Sequence, residues 1–182
     1  MRLFTCIDIP AYIKVALTDS LGKMRMGNCN VSSAENMHIT LNFMDDVEDK
    51  LLDRIKEGID GVSFGGFDVE IKGLGIFEDK LHGILFANVH DENSACSRLQ
   101  KNLREMLTNI GIETSSRSYT PHVTLARCTK IGDKLRDIVK NSNEGFGKFS
   151  VGSFALKKSV LASDGAVHSV LYEKRATSPA PR

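Results

Sequence analysis

The sequence predicts an α+β fold of two lobes related by a pseudo-two-fold axis, and three observations predict it. The pattern His-x-Thr-Leu occurs twice, as His38-Ile39-Thr40-Leu41 and as His122-Val123-Thr124-Leu125. The two histidines stand 84 residues apart in a chain of 182, close to half its length. Around each copy the chain reads helix, strand, helix, strands, and no linker-like stretch separates the two passes. A supersecondary unit repeated in fixed order is the mark of a duplicated fold.

Each element follows from local pattern. Residues 3–9 are an apolar run ending at Pro10, which fits a buried first strand. From Pro10 to about Met26, Ile13, Ala16, Leu17, Leu21 and Met24 fall at helical spacing, with Pro at the opening turn and Gly27-Asn28 as the stop. Met37 to Met44 is a strand rich in β-branched residues. Val47 to Ile59 reads as a helix with Leu51, Leu52 and Ile55 inside. Residues 67–72 alternate as a strand, Gly73 to Asp79 read as a Gly-rich turn, and Gly83 to Val89 as a further strand. In the second pass Asp91 to Ile110 is a helix stopped by Gly111. Residues 112–118 fit a strand, Pro121 to Arg127 a β-rich run, and Asp133 to about Lys140 a short helix. Phe149 to Leu161 and Val167 to Tyr172 form two strands joined at Ser163-Asp164-Gly165, a hairpin turn signal. Residues 1–175 are expected to form one unit, and 176–182 a disordered tail.

Composition narrows the function classes. Hydrophobic residues make up 41% and charged residues 26%, which is ordinary for a globular chain. A net charge of +1 does not suit a protein that coats long nucleic acid through bulk charge, yet permits a basic pocket for one phosphate. Cys6, Cys29, Cys96 and Cys128 are scattered, with no zinc-ligand spacing, and are expected to be reduced and buried. Neither a signal peptide nor a membrane-length apolar run is evident, so the chain reads as soluble and cytoplasmic.

The chemistry lies in the repeated motif. Strand side chains alternate faces, so His38 and Thr40 share one face while Ile39 and Leu41 anchor the other. The same holds for His122 and Thr124 against Val123 and Leu125. A pseudo-two-fold axis brings the two polar faces together across a cleft. Opening a cyclic phosphate with water needs a base on the incoming oxygen and an acid on the departing one. Imidazole serves both, because its ordinary pKa is about 6.5. The Thr hydroxyls are placed to hydrogen-bond the non-bridging oxygens. No metal and no cofactor is called for by these residues or their spacing. Simple alternation puts Arg127 on the opposite face from His122, and a bulge would swing it back. His82, His90 and His168 lack a Thr partner and read as surface or turn residues. Lys157-Lys158 reads as a solvated pair, and Phe43 and Tyr119 as core more readily than as base-stacking platforms.

These segments resemble the 2H phosphoesterase superfamily, in its branch of RNA 2′,3′-cyclic phosphodiesterases, also called 2′-5′ RNA ligases. The resemblance covers nearly the whole chain. It rests on Met1-Arg2-Leu3-Phe4 with Ile7-Asp8; on Glu35 to Leu41 followed by Phe43; on Gly73-Leu74-Gly75-Ile76-Phe77; and above all on Tyr119-Thr120-Pro121-His122-Val123-Thr124-Leu125-Ala126-Arg127. Two departures touch the cleft rim or the core: Phe43-Met44-Asp45-Asp46 stands where Phe-Leu-Gly is frequent, and Phe86 where Trp is common. The resemblance implies two lobes of antiparallel sheet with outer helices around a central cleft. It implies that His38 is the proton donor and His122 the proton acceptor, and that Arg127 contacts the phosphate.

The expected reaction is hydrolysis of a 2′,3′-cyclic phosphate at an RNA 3′ end, tRNA-derived ends among the candidates, to a 2′-phosphomonoester. The reverse 2′-5′ joining is the minor reaction in water. The alternatives are another cyclic phosphate, such as ADP-ribose 1″,2″-cyclic phosphate, or a non-catalytic binder of RNA ends. No membrane and no obligate protein partner is indicated.

Overall fold

The order strand–helix–strand–helix occurs twice. The first pass is β1 (Arg2–Asp8), α1 (Ala11–Gly22), the short β2 (Cys29–Val31), β3 (His38–Met44) and α2 (Leu52–Gly61), followed by β4 (Phe67–Glu78). The second is β5 (Gly83–Asp91), α3 (Ala95–Asn109), β6 (His122–Cys128) and α4 (Asp133–Lys140), followed by β7 (Gly145–Val151), β8 (Ser153–Ala162) and β9 (Gly165–Arg175). The computed structural model describes residues 1–24, 26–79, 82–114, 118–163 and 165–180.

The strands form one curled antiparallel sheet in the order β7-β4-β5-β6-β3-β1-β8-β9, with β2 paired to β6. Its two halves, β7-β4-β5-β6 and β3-β1-β8-β9, meet at one residue pair, Ile39 opposite Val123. The expected lobes are thus halves of one sheet. Helices α2 and α3 contact the half that holds β3 and β9, and α1 and α4 contact the half that holds β4 and β7. Each helix turns a periodic apolar stripe to the sheet, such as Ile13, Leu17 and Leu21 of α1 or Leu99, Leu103 and Leu107 of α3. One hydrophobic cluster runs through both halves, with Ile39 and Val123 wholly buried at the junction. Burial of each such side chain contributes about 1.5–3 kcal/mol.

Several expectations are corrected. Helix α1 ends at Gly22, several residues before Gly27. Gly73 to Glu78 is no turn but the second half of β4: Gly73 takes a positive φ where the β4–β5 register slips between Ile71 and Leu74. Gly75 is needed because a Cβ there would overlap the Phe86 ring. The run 149–161 is two strands, since β7 pairs with β4 and β8 with β1, on opposite sides of the sheet. Residues 112–114 and 118 are not strand, and the centre of that stretch lies outside the described residues, as does Asp164 of the hairpin turn. The tail is held as far as Ser178. Ala176 N–H donates to Gly152 O (2.8 Å), Thr177 N–H to Phe64 O (2.9 Å), and Gly66 N–H to Ser178 O (2.8 Å). Its backbone groups find partners in the neighbouring loops, which ties it down. Pro181 and Arg182 lie outside the described residues.

The cysteines also depart from expectation. Strand β2 sets Cys29 opposite Cys128 on β6, and the two form a disulfide. Only the pairing of these strands makes them neighbours, since they are 99 residues apart in sequence. Cys6 and Cys96 are free and buried.

Candidate active site

Strands β3 and β6 bury their residues in the same sequence of positions. Ile39, Leu41, Val123 and Leu125 enter the core, while His38, Thr40, His122 and Thr124 lie half-buried on the face away from the helices. The strands run antiparallel with Ile39 opposite Val123, so the register sets His38 beside Thr124 and Thr40 beside His122. The two imidazoles and two hydroxyls therefore share one face of the sheet at its centre.

Both strands carry a bulge at the same motif position. In the β1–β3 ladder Thr5 pairs with Asn42 and Cys6 with Thr40, which leaves Leu41 as the extra residue. In the β5–β6 ladder Leu85 pairs with Ala126 and Phe86 with Thr124, which leaves Leu125 as the extra residue. Each bulge resets the alternation, so Phe43 and Arg127 emerge exposed on the histidine face. The first bulge is satisfied inside: Asn42 N–H donates to Thr5 Oγ1 (3.2 Å), and the Asn42 and Gln100 side-chain amides bond each other (2.9 Å). Arg127 thus joins the His122 side of the site, and its place on the first half is taken by Phe43.

Each imidazole is fixed by a backbone carbonyl two residues earlier. The ring N–H at Nδ1 of His122 donates to Thr120 O (2.7 Å), which leaves Nε2 as the nitrogen without that bond. His38 makes the corresponding bond with the Asn36 backbone. Tyr119 joins the two motifs, because its hydroxyl donates to Thr40 O (3.1 Å). That hydroxyl is buried and its pKa pushed up, so Tyr119 is a packed strut, as its sequence context suggested.

Aromatic rings line both sides. Phe4 stacks on His38 with centroids 4.9 Å apart, and Phe86 and Phe77 meet His122 at 5.3 and 5.1 Å. Phe77 and Phe86 stack on each other at 4.2 Å over the space that Gly75 leaves. Burial among these rings lowers both imidazole pKa values, since it penalises the charged form. His38 falls to about 4, through burial first and then the nearby His168 and Lys157 charges, against the raising effect of the Asn36 bond and Asp8. His122 is also lowered, through burial first and with a contribution from Arg127.

Two residues read as surface groups stand at this site. Lys157 is only 8% exposed, and its Nζ lies 2.5 Å from Asp8 Oδ1. His168 of β9 meets Phe4 edge-on at 4.8 Å and His38 at 5.5 Å. No pattern around either residue distinguishes it in the sequence; their place comes from the pairing of β8 and β9 onto β1. His82 and His90 are exposed, as expected.

A cavity of about 1120 Å³ lies elsewhere, lined by Phe64, Phe67, Glu70, His90, Arg98 and Lys148 among others, and includes no motif residue. Among the described residues no group of three or more His, Cys, Asp or Glu is placed to hold a metal ion, and no helix is long and apolar enough to cross a membrane.

Known proteins share both sequence and fold with this chain. The RNA 2′,3′-cyclic phosphodiesterase of Archaeoglobus fulgidus is 29% identical over 174 residues, covering 94% of this chain and 98% of that protein. The protein of the same name from Methanocaldococcus jannaschii is 30% identical over 177 residues, covering 95% and 99%. Among solved structures, TT0787 of Thermus thermophilus superposes with a TM-score of 0.81 at 24% identity, covering 98% of this chain and 99% of that one. E. coli LigT complexed with 3′-AMP superposes with a TM-score of 0.84 at 20% identity, covering 97% and 98%. At those identities the likeness is one of fold. Residues 22–159 match the 2′-5′ RNA ligase superfamily, and the chain belongs to that superfamily.

Proposed function

We propose that this protein hydrolyses 2′,3′-cyclic phosphate ends of RNA to 2′-phosphomonoesters by acid–base catalysis between two histidines. The observation that carries the reading is the meeting of two His-x-Thr strands in antiparallel register, each with its bulge after the Thr. Relatives covering almost the whole chain bear the name RNA 2′,3′-cyclic phosphodiesterase, which supports this substrate class.

His122 keeps its N–H on Thr120 and offers Nε2 to water. Water attacks phosphorus, its proton passes to His122, and the bond from phosphorus to the 3′ oxygen breaks. His38 gives its proton to that oxygen. The hydroxyls of Thr40 and Thr124 and the Arg127 guanidinium hold the non-bridging oxygens as charge builds on them. With a 5′-hydroxyl in place of water as the nucleophile, the same groups in the same roles join RNA ends: the 5′ oxygen bonds to phosphorus, its proton passes to His122, and the 3′ oxygen leaves with the proton from His38, giving a 2′-5′ linkage. No metal takes part in this scheme.

The test is a short RNA with a 2′,3′-cyclic phosphate end, incubated with the protein and EDTA, with the product isomer identified by phosphorus NMR. A 2′-phosphate formed with EDTA present is the expected result. A 3′-phosphate overturns the regiochemistry. Activity lost in EDTA and restored by a divalent cation overturns the metal-free scheme, and no turnover under either condition overturns the activity.

A further inference from the structure

We propose that His168 is a positioning residue of this active site, which from the β8–β9 hairpin holds the His38 ring and sets its charge. The proposal rests on the reading of His38 as an acid–base group. Three rings are in mutual contact: Phe4 with His38 at 4.9 Å, Phe4 with His168 at 4.8 Å, and His38 with His168 at 5.5 Å. Phe4 is 1% exposed and belongs to a small buried cluster with Cys6 and Ala155, separate from the main core. His38 is therefore gripped between a buried ring and an imidazole on the edge strand of the sheet.

Asn36 fixes both parts of the grip. Its backbone bonds the His38 ring, and its side-chain Nδ2–H donates to Ala166 O (2.8 Å), two residues before His168 on the same strand. The neighbours of His168 along β9, Val167 and Val170, are each 59% exposed, whereas His168 is tucked against the rings.

The charged and titratable groups facing His38 are few. Among the described residues they are Asp8 and Cys6 on β1, Lys157 on β8, His168 on β9 and, across the β3–β6 junction, His122, with Lys14 of α1 beyond Cys6. Lys157 is committed to Asp8 at 2.5 Å, and the Cys6 thiol, pushed up to about 12 by burial, stays neutral. His168 is thus the titratable neighbour in ring contact with His38, and burial lowers its pKa as it does that of His38. Two imidazoles in edge contact resist holding two protons, so a charge on His168 disfavours one on His38. An arriving phosphate relieves that repulsion.

The experiment follows the C2–H titration of His38 by NMR and kcat/KM on an RNA dinucleotide ending in a 2′,3′-cyclic phosphate, in the wild type, His168→Ala and His168→Phe. His168→Ala removes ring and charge and should lower kcat/KM on the order of 10- to 10²-fold, the scale of a misplaced catalytic group. His168→Phe restores a ring without the charge. It should recover most of that loss and move the His38 titration to higher pH. Turnover in His168→Ala equal to wild type, with the His38 titration unmoved in both variants, overturns the proposal. If the wild type does not turn over this RNA, the functional reading fails, and the titration alone still decides whether His168 acts on His38. Should His168→Ala not fold, His168→Phe carries the same test through that titration.

Discussion

Substrate binding should itself protonate His38, and the pH dependence of turnover should show it. In the empty site burial, with His168 and Lys157, holds His38 at about 4 against an ordinary 6.5. His122 is lowered as well. Near pH 7 both rings are then neutral, and His38, the proposed donor, has no proton to give. A cyclic phosphate diester carries one negative charge throughout this range. At about 4 Å from an imidazolium, in an effective dielectric of about 20, it contributes roughly 4 kcal/mol. At about 1.4 kcal/mol per pKa unit, that is a rise of about three units. Such a rise matches the depression of His38, so in the complex the ring returns to the range where it can hold and release a proton. The sign follows for each kinetic constant. kcat/KM reports the free protein, in which both imidazole pKa values are low, and should peak below pH 6.5. kcat reports the complex and should peak at higher pH. The assay is initial rates on a cyclic-phosphate-ended oligonucleotide across about pH 4 to 9 at constant ionic strength. His38→Ala should lose mainly the alkaline limb and His122→Ala mainly the acid limb, because a missing acid needs no proton and a missing base needs no deprotonation. A kcat/KM maximum above 6.5, or two coincident profiles, would refute the reasoning. An exchange of the two limbs would reverse the donor and acceptor roles.

Four further perturbations test the site and its support. His38→Ala and His122→Ala should each lower the rate by about 10²–10⁴-fold with the fold intact by circular dichroism, and Thr40→Ala and Thr124→Ala by about 10- to 10³-fold; near-native turnover in any variant removes that residue from the mechanism. Arg127→Ala should lower kcat/KM by on the order of 10- to 10²-fold and raise the pH of the acid limb, since the Arg127 charge lowers His122; an unmoved limb argues against their coupling. Gly75→Ala forces a methyl into the Phe86 ring and should cost about 1–3 kcal/mol in urea unfolding as well as turnover; unchanged turnover would show that Phe86 does not steady His122. Replacing Cys29 and Cys128 by Ser opens a link across 99 residues and should cost about 2–4 kcal/mol, or about 4–16 °C in Tm; a wild type whose Tm ignores reductant speaks against the disulfide in solution.

The sequence by itself determined the local geometry of the motifs. Alternation along a strand requires His38 and Thr40 to face away from Ile39 and Leu41, and His122 and Thr124 to face away from Val123 and Leu125, whatever the strands pair with. The helical stripes of α1 and α3 were legible for the same reason, because periodicity is a property of neighbouring residues. Where an element ends, or what faces it, was not. Gly73 and Gly75 carry turn-like chemistry, yet β5 pairs on both sides of the slip at Gly73 and with Gly75 itself, which makes them strand. Gly152 divides the run 149–161 because its two sides pair with β4 and β1.

Tertiary structure decided what surrounds the histidines. A bulge exists only against a partner strand, so the extra residues at Leu41 and Leu125 could not be read from β3 or β6 alone. Those bulges put Phe43 and Arg127 on the histidine face, where strict alternation would have turned Arg127 away. Lys157 and His168 look like ordinary strand residues until β8 pairs with β1 and carries β9 beside it. Cys29 and Cys128 become partners only when β2 adds to β6. In each case the deciding quantity is a contact between distant parts of the chain, set by sheet register, and local propensity holds no record of it.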